Sequence, residues 1–195
     1  MKTLLILFGK LMVKILKLLG KNAGNLPGCV LWTLTKHRCV SLFTVDCPII
    51  AVTGTNGKTS VTNYVAQLFE KTGANIITNH SGNNLDTGIC SLLLQNCDWR
   101  GNVKADYLIL ETDESQLHLE TLVVLNFFRD QLDRNGEVET LIRKVNDFCK
   151  TFTGTLILNG DDPNTARLGR ANPNNHNVKY FHVEPYAFAT RERFE

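Results

Sequence analysis

Apolar residues recur along this chain in two alternating rhythms. Ile49-Ile50-Ala51-Val52, Tyr107-Leu108-Ile109-Leu110, Leu122-Val123-Val124-Leu125-Asn126 and the run from Thr155 to Leu158 are short and continuous, and they read as buried strands. Ala74 to Thr78 and Val178 to Val183 read as two more. Between them the spacing becomes helical. Val61, Tyr64, Val65, Leu68 and Phe69 share one face of a helix that starts at Thr59 and stops near Gly73. Leu85 to Leu94 also has a helical pattern. Val138, Leu141, Ile142, Val145 and Phe148 mark the apolar face of a helix from Glu137 to Phe148. Strands alternating with helices predict an α/β fold with a mostly parallel, doubly wound sheet. In such sheets ligands bind beyond the carboxyl ends of the strands. The polar clusters at 53–59, 79–84, 111–114, 126–133 and 159–162 all fall at such ends.

The N-terminal segment follows a different rule. Lys10, Lys14, Lys17 and Lys21 recur at helical spacing on one face, with Leu11, Ile15, Leu18 and Leu19 largely opposite, so residues 1–21 read as an amphipathic basic helix. Lys10 interrupts the apolar run from Leu4 to Phe8, and no small-residue cleavage site follows, so this is not a secretory leader. The run is also too short to span a bilayer. Two readings stand: peripheral contact with an anionic membrane surface, or a helix packed on the domain with its lysines in water, which the frequency of solvated lysine faces favours. Asn25-Leu26-Pro27-Gly28 is a turn signal, and residues 29–45 read as a connecting, partly helical segment.

Composition narrows the classes. The 195 residues, 43% of them hydrophobic, suffice for one well-buried domain with a short appendage. The net charge of +2 gives no support to a nucleic-acid role. No acidic residue precedes Asp46, so the first 45 residues carry +7 and the remainder −5. None of the six cysteines sits in a C-x-x-C pair, which argues against a zinc ribbon formed here and against a secreted disulfide scaffold; reduced thiols in a cytosolic protein are expected.

The strand Ile49–Val52 runs straight into Gly54-Thr55-Asn56-Gly57-Lys58-Thr59-Ser60. Gly54 and Gly57 let backbone N–H groups converge on phosphate oxygens, and the following helix N-terminus adds favourable partial charge. Lys58 supplies a cation for the outer phosphates, and the Thr59 hydroxyl suits Mg²⁺. The usual phosphate loop has a glycine where Val52 stands, so this is a variant form. Glu111 ends a strand expected beside the one feeding the loop, where a carboxylate can hold the Mg²⁺ of a metal-nucleotide complex. Asp113 and Glu114 continue the acidic run and read equally well as a solvated loop. Asp130, Gln131, Asp133 and Arg134 could position a second metal, a terminal phosphate or an attacking group, or simply form an acidic helix start. Asn159, Asp161 and Asp162 precede Pro163 and could be a plain capping turn.

Taken together, Gly54–Thr59, Glu111 at its strand end, Asp130-Gln131-Leu132-Asp133 and Leu158-Asn159-Gly160-Asp161-Asp162 resemble the Mur ligase superfamily. Within it the stretch from Asn126 to Glu137 resembles the MurT branch, the ligase-like subunits of lipid II isoglutaminyl synthases. Amino-acid-adding members typically carry His where Gln131 stands. Leu26-Pro27-Gly28 and Gly82-Asn83-Asn84-Leu85 point the same way, although MurT proteins usually have Ala at position 83.

The resemblance implies a Mur-ligase central domain over residues 46–195, incomplete at its C-terminus, preceded by a basic helix and connector over residues 1–45. It implies an ATP- and Mg²⁺-dependent carbon–nitrogen ligase that amidates D-glutamate in lipid II, with ammonia from a class I glutaminase-like partner of the GatD type. Lys58, Glu111, Asp130 and Gln131 would be catalytic, and Thr59 and Glu111 would hold the metal. Residues Gly54 to Ser60 would bind the phosphates, with Asn84 near them and Asn159 and Asp161 toward the adenine. The branch's zinc ribbon, and hence any Zn²⁺, would lie beyond Glu195. A fragment ending there would keep the phosphate site without completing the reaction alone. The location implied is the cytoplasm; the inner face of the plasma membrane is the place that goes with the membrane reading of residues 1–21. An amino-acid-adding Mur ligase, a folylpolyglutamate synthase-like enzyme and a non-catalytic nucleotide-binding fragment are the alternatives.

Overall fold

The computed structural model describes residues 2–79, 85–112, 117–127 and 135–183. The chain runs α1 (Lys2–Leu18), α2 (Leu26–Leu34), a 3₁₀ turn (Cys39–Leu42), β1 (Thr44–Val45), β2 (Ile49–Thr53), α3 (Lys58–Glu70), β3 (Ile76–Thr78) and α4 (Asp86–Asn96). It continues with β4 (Asn102–Val103), β5 (Tyr107–Glu111), β6 (Thr121–Val124), α5 (Asn135–Cys149), β7 (Thr155–Asn159), α6 (Pro163–Ala166), a second 3₁₀ turn (Arg167–Arg170) and β8 (Val178–Phe181).

Six strands form one sheet in the order β3-β5-β2-β6-β7-β8, and every pairing in it is parallel. A parallel sheet must be covered on both faces. The burial of Ala51, Val52, Leu108, Ile109, Leu110, Val124 and Leu158 follows from that constraint. β1 and β4 make a separate two-residue parallel pair that joins the N-terminal connector to the body. Strand β2 lies between β5 and β6, so the chain leaving it at Thr53 emerges at the middle of the sheet's carboxyl edge.

Three local expectations are corrected. Leu26-Pro27-Gly28 does not form a turn; it begins α2, with Pro27 in the first helical turn, where a missing N–H costs nothing. On α3 the buried face is Thr62 and Ala66, while Tyr64 and Leu68 are exposed. Small residues let this helix lie close to β3 and β5, and Phe69 reaches the edge of the Tyr107 ring with 4.7 Å between centroids. On α1 the buried residues are Ile6, Gly9 and Val13, whereas Leu11, Ile15, Leu18 and Leu19 face outward. Lys10 is not in water alone: its Nζ donates to the Cys97 carbonyl at 2.6 Å. By contrast, α5 packs as expected, with Val138, Leu141 and Ile142 against the core and Val145 buried. Its Phe148 is half-exposed and stacks on Phe152.

The N-terminal helices join the same hydrophobic cluster as the sheet through Ile6, Leu31, Ile89, Leu93 and Leu94. The tightest approach is between α2 and α4. The Gly28 N–H donates to Ser91 Oγ at 2.7 Å, and a Cβ at position 28 would run into the Thr87 carbonyl oxygen. Gly28→Ala is expected to lower unfolding free energy by about 1–3 kcal/mol, measured by urea denaturation, because neither backbone can yield without losing its own helical bonds.

All six cysteines are free thiols, and only Cys29 is not buried. Burial pushes the Cys149 thiol up to about 12, and the hydrogen bond between Cys90 and Cys39, together with burial, raises that of Cys90. A maleimide at pH 7 is expected to modify Cys29 first, with the other five reacting only on unfolding; peptide mapping reads the order.

Candidate functional site

The loop after β2 is built by two glycines and one asparagine. Gly54 has φ +138°, and a Cβ there would sit 3.0 Å from the Asn126 carbonyl oxygen and 3.1 Å from its nitrogen. Gly57 has φ +84°, a left-handed conformation, and caps the N-terminus of α3. Both positions therefore require glycine. Asn126, just past β6, holds the loop from the side. Its Oδ1 accepts from Thr55 Oγ1 at 2.9 Å and from the Asn56 N–H at 3.1 Å, and its Nδ2 donates to the Asn56 carbonyl at 3.1 Å. Its carbonyl accepts from the Thr55 N–H at 2.9 Å.

From this loop α3 rises with its first-turn N–H groups toward the loop, the geometry that favours anions. Lys58 Nζ lies 2.7 Å from the Gly54 carbonyl and so folds over the loop. Thr59 Oγ1 donates to Glu111 Oε2 at 2.6 Å, which joins the two residues expected to hold a metal. Ser60 is exposed in the same turn.

Glu111 is 5% exposed at the end of β5. Its backbone is fixed by Asn79: the Glu111 N–H donates to Asn79 Oδ1 and Asn79 Nδ2 donates to the Glu111 carbonyl, both at 2.8 Å. A carboxylate beside a hydroxyl is a hard oxygen donor pair, which suits Mg²⁺ that keeps waters and phosphate oxygens as its other ligands. Among the described residues no group of three or more His, Cys, Asp or Glu side chains gathers.

Further along the edge, Asn159 ends β7, two strands from β2, and Asp161 follows it in the turn. Asn159 Oδ1 accepts from the Asp161 N–H at 2.9 Å, and Asp161 Oδ2 accepts from the Val183 N–H at 2.8 Å. Both thus shape the turn beside β8. Asp162 is the N-cap of α6, accepting from the Asn164 and Thr165 N–H groups, and it also accepts from the Phe127 N–H. Asn84, Asp130 and Gln131 lie outside the described residues, as do Asp113, Glu114, Asp133 and Arg134.

The sequence places Asn79 and Asn126 in polar clusters at strand ends but gives neither an individual role. The available signal was position: each lies within two residues of a strand's end, where a side chain that both donates and accepts can carry on the sheet's hydrogen bonding. Asn126→Ala removes three side-chain hydrogen bonds from the loop. It is expected to cost roughly 1–3 kcal/mol and to speed amide exchange at residues 55–57 selectively, read by hydrogen–deuterium exchange with mass spectrometry.

Comparison with known proteins gives this architecture its context. The model of the Mur ligase middle domain matches residues 52–193. The MurT subunit of lipid II isoglutaminyl synthase (glutamine-hydrolyzing) from Streptococcus pneumoniae is 33% identical over 187 residues, 92% of this chain and 40% of that protein. Its Staphylococcus aureus counterpart is 29% identical over 166 residues, 82% of this chain and 37% of that protein. The chain therefore spans about two fifths of the length of the curated relatives it matches. Among solved structures, MurF from Acinetobacter baumannii superposes with a TM-score of 0.55 at 17% identity, covering 82% of this chain and 35% of that one. MurF from Thermotoga maritima, solved with ADP, gives 0.53 at 16% identity, covering 82% and 37%. At such identities the structures speak for the fold alone, and they agree with the parallel sheet described above. With more than half of its length matched by the middle-domain model, this chain belongs to the Mur ligase family.

Proposed function

We propose that this chain is the ATP-binding portion of a ligase subunit that converts the α-carboxylate of D-glutamate in the lipid II stem peptide to D-isoglutamine. The observation that carries the nucleotide reading is the 2.6 Å contact between Thr59 and Glu111 at the foot of a glycine loop. The amidation reading is supported by similarity to MurT subunits over 82–92% of the chain. In this reading residues 46–195 are the nucleotide-binding domain and residues 1–45 a helical attachment.

The loop N–H groups from Gly54 to Ser60 bind the phosphates, and Lys58 moves from the Gly54 carbonyl to the outer phosphate oxygens. Thr59 and Glu111 would hold Mg²⁺, which would supply charge neutralisation at the phosphates. A substrate carboxylate oxygen attacks the γ-phosphorus, ADP leaves, and an acyl phosphate forms. Ammonia then attacks the acyl carbon, phosphate departs, and the nitrogen loses a proton to give the amide. Asp130 and Gln131 are assigned to positioning at the reacting end, Asn84 to the phosphates, and Asn159 and Asp161 to the adenine side. The ammonia comes from a class I glutaminase-like partner of the GatD type, the setting is the cytoplasm, and any Zn²⁺ belongs to sequence beyond residue 195.

Isothermal calorimetry tests the nucleotide site. Lys58→Ala is expected to weaken Mg-ATP at least tenfold with unchanged circular dichroism, since a phosphate-bound cation contributes on the order of 1.5–3 kcal/mol. Glu111→Gln is expected to weaken Mg-ATP more than metal-free ATP. Equal Mg-ATP binding by wild type and Lys58→Ala sinks the assignment of the loop. Amidation is tested with this chain, a glutaminase partner, lipid II and glutamine, followed by mass spectrometry. Addition of an amino acid instead of an amide would select the amino-acid-adding reading.

A further inference from the structure

The outward side of α1 inverts the usual rule for a helix packed on a domain, which buries apolar residues and shows polar ones. The packed side is narrow. It consists of Ile6, Gly9 and Val13, helped by the partly buried Leu5 and Leu16, and Gly9 lets the Leu94 side chain come into contact. The solvent side carries Leu4, Leu7, Phe8, Leu11, Ile15 and Leu18, which are 47–86% exposed. At α-helical spacing these six fall within an arc of about 100°. Leu19, just past the helix, is exposed as well and extends the same surface. Single exposed leucines need no explanation, but a contiguous stripe of this kind marks an interaction surface.

Charge selects the occupant. Lys14 borders the apolar arc, Lys17 lies further round the same flank, and Lys21 is exposed in the segment just past the helix. Lys10 is already engaged with the Cys97 carbonyl and is not counted. No acidic residue occurs before Asp46, and the first 45 residues carry +7. Two copies joined through this face would bring like-charged lysine rows together, which opposes dimerisation. An anionic bilayer satisfies both parts at once: acyl chains take the leucines and headgroups take the lysines. Among the described residues no helix is long and apolar enough to cross a membrane. The 17-residue helix, about 26 Å long, instead suits a position parallel to the surface.

We propose that α1 is a membrane-docking face that holds this chain on an anionic lipid surface, with its leucine stripe in the interface and Lys14, Lys17 and Lys21 at the headgroups. This goes beyond the ligase reading: a lipid-linked substrate would make such docking useful but does not enter the argument.

Sedimentation of the 195-residue protein with phosphatidylcholine vesicles, with and without 30% phosphatidylserine, tests it. Wild type is expected to pellet with the anionic vesicles far more than with the neutral ones, and less so at high salt. Leu7→Ser/Leu11→Ser/Ile15→Ser is expected to lower binding at least tenfold, with melting temperature unchanged because these residues are exposed. Lys14→Ala/Lys17→Ala/Lys21→Ala is expected to lower anionic binding on the order of a hundredfold. Absence of binding, equal binding to both vesicle types, or serine variants that bind like wild type would each overturn the proposal. So would a dimer in sedimentation velocity that dissociates in the serine variant, since the face would then be covered by a second copy. Mg-ATP calorimetry on the same variants reads the loop independently, so failure of either idea leaves the other standing.

Discussion

One side-chain amide holds the glycine loop to the sheet. The loop leaves the middle of the carboxyl edge with two residues in conformations that carry no intrinsic stability, and Asn126 makes up for that by bonding to Thr55 and Asn56. Because Asn126 follows β6, and β6 pairs with β2 along Ile50 to Thr53, the loop is referenced to two strands. The Thr59 hydroxyl then meets Glu111, which follows from the register that sets Val52 opposite Glu111 in the β2–β5 pairing. Loop, helix start and carboxylate thus share one frame, and the distances between them are set by sheet geometry more than by the loop itself.

That frame was legible because strand rhythm and loop position are local properties. The runs at 49–52, 107–110 and 155–158 need only their own composition to read as strands, and the carboxyl-edge rule then gathers Lys58, Thr59 and Glu111 from sequence position alone. What stayed hidden depended on partners distant in sequence. Asn126 reaches Asn56 across 70 residues and Asn79 reaches Glu111 across 32. Neither residue has a local pattern that names its partner. The burial of Thr62 and Ala66 in place of Tyr64 and Leu68 has the same origin: hydrophobicity ranked the faces of α3 one way, and the closeness of helix to sheet ranked them the other.

The N-terminal helices show the limit of periodicity in another form. Residues 2–18 contain more apolar side chains than one contact face can use, so the pattern announces an amphipathic helix but not which apolar side goes inward. Packing chose the side with Gly9, where a helix can approach Leu94 and Leu31 closely. The larger residues remained outside. Close packing between α2 and α4 rests on the same logic at Gly28, so this layer is assembled by small residues at its contacts and displays bulk at its surface.

The pairing of Asn79 with Glu111 has a further meaning. A carboxamide carries one donor and one acceptor at the spacing of a peptide unit, so Asn79 stands in for the next residue of a neighbouring strand after β3 itself has ended at Thr78. The main chain at Glu111 is thereby as restrained as if it lay inside the ladder, and the carboxylate keeps only its own torsions. Whatever this carboxylate binds meets an anchor whose backbone entropy was spent during folding. An ionised aspartate at position 79 could accept from the Glu111 N–H but could not donate to its carbonyl, and a serine or threonine hydroxyl would have to serve both groups from a single atom, so the two-atom amide is the group that spans both.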